Sequence, residues 1–408
     1  MINKALEILS TFSKSIPEAY HGPDRTSYIV EESQKLSIEE KDVLVKFYNH
    51  ILTVMIDRDA SDIEIGGPGT ANYVWFRIQG IKQRIKDLPN LKIDEATFLI
   101  ATLLNKNQHR HLLVNRNIDF SYTYRYIKTN VNVRFRADAY YDLDSLTLNM
   151  RAISSNLRSL ESYEFHPYAL QAMSHNYIKF GLSLITGITG SGKSTTLDAV
   201  INYHNQTNPC QIIVIAAPIE FVHTSSQCLI KHREVGRDVL SFKEGVTQAL
   251  RQDPDIIVIG EMRDPDTILS SLEVADTGHK VFSTLHTSSA IESIDRIIAE
   301  VNPVEQERVR MRLADVLVSV VSQKLIPGQG GKLVLAKEVL VVTPSVKAAI
   351  KNNNTSEIYM MMNQGGQMGM ITMEQDLMRL YQQRKISKEN MIAFANNKNR
   401  IRQLFKAV

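Results

Sequence analysis

The spacing of apolar positions changes character along the chain. "LSIEEKDVLVKFYNHILTVMIDRDASDIEI" carries a helical apolar stripe and then alternates, which predicts a helix running into a strand. Ser37 followed by Glu40 has capping-box spacing, so the helix should begin there. "YVWFRIQG", "IDFSYTY" and "VNVRFRADAY" alternate apolar and polar residues, as half-buried antiparallel strands do. "IDEATFLIATLLN" predicts a helix between them. Residues 41–155 therefore read as one small α+β domain. Residues 1–40 read as an N-terminal extension with two weak helical patterns.

After "SSNLRSLESYEF" the runs become short and continuously apolar: "GLSLITG", "QIIVIAAPI", "DIIVIG", "KVFSTLH". Strands apolar on both faces, alternating with helices, predict an α/β domain whose mostly parallel sheet is covered on both sides. This domain takes residues 156–408. From about Pro327 its pattern is mainly helical, after a strand pair in "KLVLAKEVLVV".

Composition narrows the function classes. With 408 residues, 43% of them hydrophobic, the chain can bury one large core or two moderate ones. Lys+Arg 47 against Asp+Glu 44 gives a net charge of +3, too mild to imply direct binding of nucleic acid or of an anionic membrane. Cys210 and Cys228 form no C-x-x-C pair, which excludes a disulfide framework and a four-cysteine zinc site and suits a reduced, cytoplasmic setting. The first residues have no signal-peptide pattern, and no run approaches the ~18 apolar residues of a transmembrane helix. Any link to a membrane is expected to run through a partner.

The strongest chemical signal is "GITGSGKS", Gly187 to Ser194, a complete G-x-x-x-x-G-K-S between an apolar strand and the helix "STTLDAVINYHN". Its glycines let backbone N–H groups wrap phosphates. Lys193 supplies a point charge at the β/γ-phosphates, and the Ser194 hydroxyl can ligate Mg²⁺. The ATP-binding candidates here are Gly187, Thr189, Gly190, Ser191, Gly192, Lys193, Ser194 and Thr195. "DIIVIGEMRD" puts Glu261 at a strand end, where a carboxylate can serve the Mg²⁺ shell or orient water; Gly260 stands where an Asp is usual. "TGHKVFSTLHTSS" sets His279 and His286 at opposite ends of one strand, which disfavours joint metal binding and suits phosphate sensing or a subunit contact.

These blocks, with "APIEFVH", "HREVGRDVLSFKEGVTQALRQDPDIIVIGEMRDPDTI" and "GMITMEQDLMRLY", resemble the secretion-ATPase superfamily of type II and type IV secretion and type IV pili. The resemblance is greatest to the PilT-type pilus retraction (twitching motility) ATPases. It implies a RecA-like P-loop NTPase domain preceded by a PAS-like domain, a homohexameric ring, and an inner-membrane platform protein as partner. It also implies that arginines of the first domain, here Arg134, Arg136 and Arg151, reach the phosphates of ATP, and that His279 and His286 form the family's histidine box. The family's pilus members lead to retraction; conjugation and type IVB secretion ATPases are the alternative.

One position departs from the family in a way that bears on chemistry. Where the resemblance places the glutamate that activates water, this chain has Ala216. A methyl group can neither orient water nor accept its proton, and losing such a group costs ~10²–10⁴ in rate. The expectation is an ATPase that binds nucleotide and turns it over slowly.

Overall fold

The computed structural model describes residues 2–153 and 157–406. It divides into two compact units, Met1–Ser155 and Asn156–Val408.

In the first unit, helices α1 (Ile2–Ser15), α2 (Gly22–Ser33) and α3 (Ile38–Asp57) precede strands β1 (Ala60–Gly66), β2 (Trp75–Ile78) and β3 (Ile81–Arg84). Helices α4 (Ile93–Thr102) and α5 (Lys106–Asn115) then lead to β4 (Asn117–Tyr126), β5 (Val131–Asp142) and β6 (Ser145–Ile153). The six strands form an antiparallel sheet in the order β3-β2-β1-β6-β5-β4. Alternation buries Ile63, Ile65, Phe135, Ala137, Leu148 and Met150 on one face, with the helices. Helix α3 opens with the capping box: Glu40 N–H donates to Ser37 Oγ (3.2 Å), and Ser37 N–H donates to the Glu40 carboxylate (3.0 Å). The first forty residues pack into the same core. Leu9, Ile29 and Val30 are buried in it, and Phe12 stacks on Phe98 with ring centroids 3.7 Å apart.

The second unit is built on β7 (Gly181–Thr186), β8 (Gln211–Ala216), β9 (Leu229–Glu234), β10 (Ile256–Ile259), β11 (Lys280–Leu285), β12 (Leu317–Pro327) and β13 (Leu333–Val341). Their order is β13-β12-β7-β11-β10-β8-β9, all parallel except β13. Alternate residues of one strand enter different cores: Ile213 and Ile215 of β8 join one, Ile212 and Val214 the other. That is why these strands read as continuous apolar runs. Helices α6 (Pro167–Met173), α7 (Lys193–Thr207), α8 (Phe242–Ala249), α9 (Pro265–Asp276), α10 (Ala290–Ala299) and α11 (Gln306–Val316) connect them. Five more follow: α12 (Pro344–Lys351), α13 (Ser356–Gln364), α14 (Met373–Gln382), α15 (Lys388–Phe394) and α16 (Lys398–Lys406).

One feature differs from expectation. "KLVLAKEVLVV" is one strand, β13, rather than a pair; its antiparallel partner is β12, which the serines and Gln323 of "LVSVVSQKLIP" disguise. The charged pair inside β13, Lys337 and Glu338, is buried. Glu338 accepts the backbone N–H of Ala290 (2.8 Å) and of Met373 (3.3 Å), so one carboxylate serves the first residues of α10 and α14.

Candidate nucleotide site

Four neighbouring parallel strands, β7, β11, β10 and β8, end along one edge of the second sheet, and each delivers a candidate residue there. Carboxyl ends of open parallel sheets are where such folds bind ligands. β7 ends at Thr186, and the loop from Gly187 turns into α7 at Lys193. Gly190 and Gly192 take φ +79° and +86°, a backbone region that residues with a side chain rarely adopt. The turn leaves the first N–H groups of α7 facing the loop, the arrangement that receives anions. Lys193 folds back over it, donating from Nζ to the carbonyls of Gly187 (2.9 Å) and Ile188 (3.2 Å). Burial lowers the Lys193 pKa, against the opposing charges of Glu261 and Glu220.

Glu261 follows β10 and is held from both sides. Its Oε1 lies 3.1 Å from His286 Nε2, and its Oε2 2.7 Å from Arg263 Nε. His286 follows β11 and also reaches Thr189, with Nδ1 3.4 Å from Oγ1. Burial lowers the His286 pKa, Lys193 adds to the effect, and Glu261 opposes it. Glu261, His286 and Thr189 thus form one linked group, and the charge of Glu261 is felt at Lys193. Ser194 is half-buried and Thr195 exposed at the start of α7. Ser194 and Glu261 offer only oxygen donors, which suits Mg²⁺; that ion commonly takes one or two protein oxygens and completes its shell with phosphate and water.

His279 does not join this group. It lies just before the other end of β11, a strand length of ~20 Å from His286, with Nδ1 3.3 Å from Thr277 Oγ1.

Ala216 is the last residue of β8, half-buried and in register with Glu234 of β9. On its other side a Cβ at Gly260 would come within 2.9 Å of the Ala216 methyl, which accounts for glycine there. The chain leaves β8 through a cis Ala217–Pro218 peptide. Ile219 N–H then donates to the Glu234 carboxylate (3.1 Å), and His223 Nε2 meets Asp198 of α7 at 3.1 Å. Burial raises the Asp198 pKa and His223 opposes it. The segment carrying Glu220 is therefore fastened to β9 and to the helix that follows the phosphate loop.

Arg134, Arg136 and Arg151 lie on the polar face of the first unit's sheet, with Arg136 and Arg151 directly opposite one another on β5 and β6. Arg151 Nε pairs with Asp62 (2.8 Å), Arg136 Nε lies 3.6 Å from Asp119, and Arg134 Nη1 donates to Thr123 Oγ1 (3.3 Å).

Several residues of the nucleotide edge carry no motif signal. Buried Gln323 of β12 donates from Nε2 to the Ser191 carbonyl (2.8 Å) and so braces the loop from a strand 132 positions away. Thr284 Oγ1 donates to the Gly260 carbonyl (2.7 Å), and Arg296 Nη1 to that of His286 (3.0 Å). Arg263, two residues after Glu261, was within reach of the sequence; Gln323 was not, because only the sheet brings it near.

Residues 37–405 match the model of the family described as "Type II/IV secretion system protein". The chain belongs to this family. Among relatives, a "Twitching motility protein" of Neisseria gonorrhoeae is 38% identical over 315 residues, 77% of this chain and 82% of the relative. The "Type IV pilus retractation ATPase PilT" of Pseudomonas aeruginosa is 38% identical over 315 residues, 77% of this chain and 89% of the relative. A crystal structure of the pilus retraction motor PilT with bound ADP aligns with a TM-score of 0.77 at 34% identity, covering 87% of this chain and 98% of that one. The fold is accordingly a RecA-like P-loop NTPase domain preceded by a smaller α+β domain.

Proposed function

We propose that this chain is a motor ATPase that turns ATP binding and hydrolysis into pilus retraction or pilus-like secretion work. The observation that carries the reading is the complete phosphate loop on β7 and α7, with Glu261 and His286 linked beside it, in a chain 38% identical to a retraction ATPase. The motor works as a homohexamer in the cytoplasm, peripheral to the inner membrane through a platform protein.

ATP phosphates take the loop N–H groups, and the Lys193 ammonium exchanges its two carbonyl acceptors for phosphate oxygens. Ser194, with Glu261 behind it, would hold Mg²⁺, which would supply charge neutralisation at the phosphates. His286, between Glu261 and Thr189, is placed to register whether the terminal phosphate is present. Arg134, Arg136 and Arg151 are candidate phosphate contacts, and His279 is a candidate for a subunit contact.

Ala216 favours a second form of the same reading, a ring that binds ATP and hydrolyses it slowly. Ground-state binding has its residues, and the group for water activation is absent at position 216. The test of the reading itself is nucleotide binding. Calorimetry with ATP and Mg²⁺ should give a saturable signal that Lys193→Ala abolishes. Equal affinity in the two chains would refute it.

A further inference from the structure

At the opposite, amino-terminal edge of the second sheet, two thiols meet that the nucleotide site does not use. Cys210 immediately precedes β8 and Cys228 immediately precedes β9, and the two strands pair in parallel from Gln211 against Leu229. The register thus continues backwards onto the cysteines, and Leu229 N–H donates to the Cys210 carbonyl (2.9 Å). Their sulfurs lie 3.0 Å apart, both as free thiols. Neighbouring strands run ~4.8 Å apart, inside the ~4.4–6.8 Å Cα separation that a disulfide spans, so little backbone movement is needed to join them. The sequence spacing gave no sign of this pair, because the register of two parallel strands creates it.

The two thiols are unequal. Cys228 is buried at 1% exposure, and its Sγ contacts the carbonyls of His204 (3.2 Å) and Asn208 (3.0 Å) at the end of α7. Cys210 is only half-buried. An oxidant from solution therefore meets Cys210 first, and Cys228 is the group within reach to finish the reaction.

We propose that Cys210 and Cys228 form an oxidation site that closes to an intramolecular disulfide, with a low-molecular-weight disulfide as oxidant. Hydrogen bonding to Cys228 and burial raise the Cys210 pKa, so its thiol must first give up its proton; the thiolate then attacks one sulfur of the oxidant, and its S–S bond breaks to release one small thiolate. Cys228, on losing its proton, attacks the Cys210 sulfur of the mixed disulfide and releases the second. Two protein thiols are oxidised, one small disulfide is reduced to two thiols, and the two protons pass to them. The closed loop holds β8, Ala216 and the segment through His223. That segment is already held at its far end by Glu234 and Asp198. The bond would staple its near end, so the oxidised chain should resist opening of this region.

The experiment uses the full chain, reduced, freed of reductant and exposed without denaturant to oxidised glutathione. The expected result is loss of both titratable thiols, a monomeric chain mass lighter by two hydrogens, and a proteolytic fragment joining Cys210 to Cys228. The thermal unfolding midpoint should rise, and reduction with dithiothreitol should reverse the rise. Cys228→Ser should instead keep one glutathione on Cys210, whereas Cys210→Ser should leave Cys228 unreacted in the folded chain. Retention of both thiols by the parent chain, a stable glutathione adduct on it, or cross-linking between chains would each overturn the proposal. The fragment map is read on the parent chain, so the proposal stands or falls even if a variant does not fold.

Discussion

At position 216 a methyl group ends β8 between Glu234 of one neighbouring strand and Gly260 of the other. Around it stand the residues proposed to bind phosphate. Lys193→Ala should remove the only ammonium in the loop and reduce ATP affinity below detection by calorimetry, with thermal unfolding little changed. The opposite edge of the sheet makes a different residue-scale prediction. Lys280 is fully buried, donates from Nζ to the Ala172 carbonyl (2.6 Å), and burial pulls its pKa from 10.5 to about 7. Between those two values the unfolded chain holds more protons than the folded one, so this lysine makes stability rise with pH across that window. Below the lower value the cost of burying the charge is present in full. Lys280→Met should flatten that rise, the parent gaining ~4 kcal/mol on the variant between neutral and strongly alkaline pH in chemical unfolding. Parallel profiles for the two chains would show that Lys280 does not titrate as described. Neither the burial of Lys280 nor the Cys210–Cys228 pair could be read from spacing: a lysine opening the run "KVFSTLH" gives no sign that it faces inward, and two cysteines 18 apart look unrelated.

At the scale of elements, Glu338 is the most exposed to test. One buried carboxylate satisfies the first N–H groups of both α10 and α14. Glu338→Ala should cost about 2–4 kcal/mol, two caps and the burial of unpaired N–H groups together. Glu338→Gln, which keeps one acceptor oxygen, should cost less. Urea unfolding measures both, and an alanine variant as stable as the parent would contradict the double cap. What could be read in advance at this scale follows from the origin of each signal. The Ser37–Glu40 box and the Gly187–Ser194 turn are local, and the structure has both. β8, β10 and β11 were legible because both faces are buried. β9, "LIKHRE", was not, since it is one of the sheet's two edge strands and its polar residues hide the pattern. β12 was hidden by serines that bond inward, Ser319 to Ser183 and Ser322 to Thr186. The helices of the first forty residues drew too weak a pattern to show that they pack into the first unit's core.

For the whole molecule, the proposed motor activity calls for a hexamer. Light scattering with ATP and Mg²⁺ should give six times the 46.2 kDa chain mass; a particle that stays at the chain mass over a wide concentration range would contradict the hexamer. As proposed, the chain has what ATP binding needs and lacks, at position 216, the carboxylate that turnover needs. Steady-state ATP hydrolysis by the assembled parent, beside Ala216→Glu prepared in the same way, tests it most directly. Turnover should be slow in the parent and at least ~10²-fold faster in the variant, about 2.7 kcal/mol of barrier, with ATP affinity unchanged or slightly weaker because a carboxylate repels phosphate. Equal and appreciable turnover in both chains would contradict it and move the catalytic role to Glu220 or Glu261.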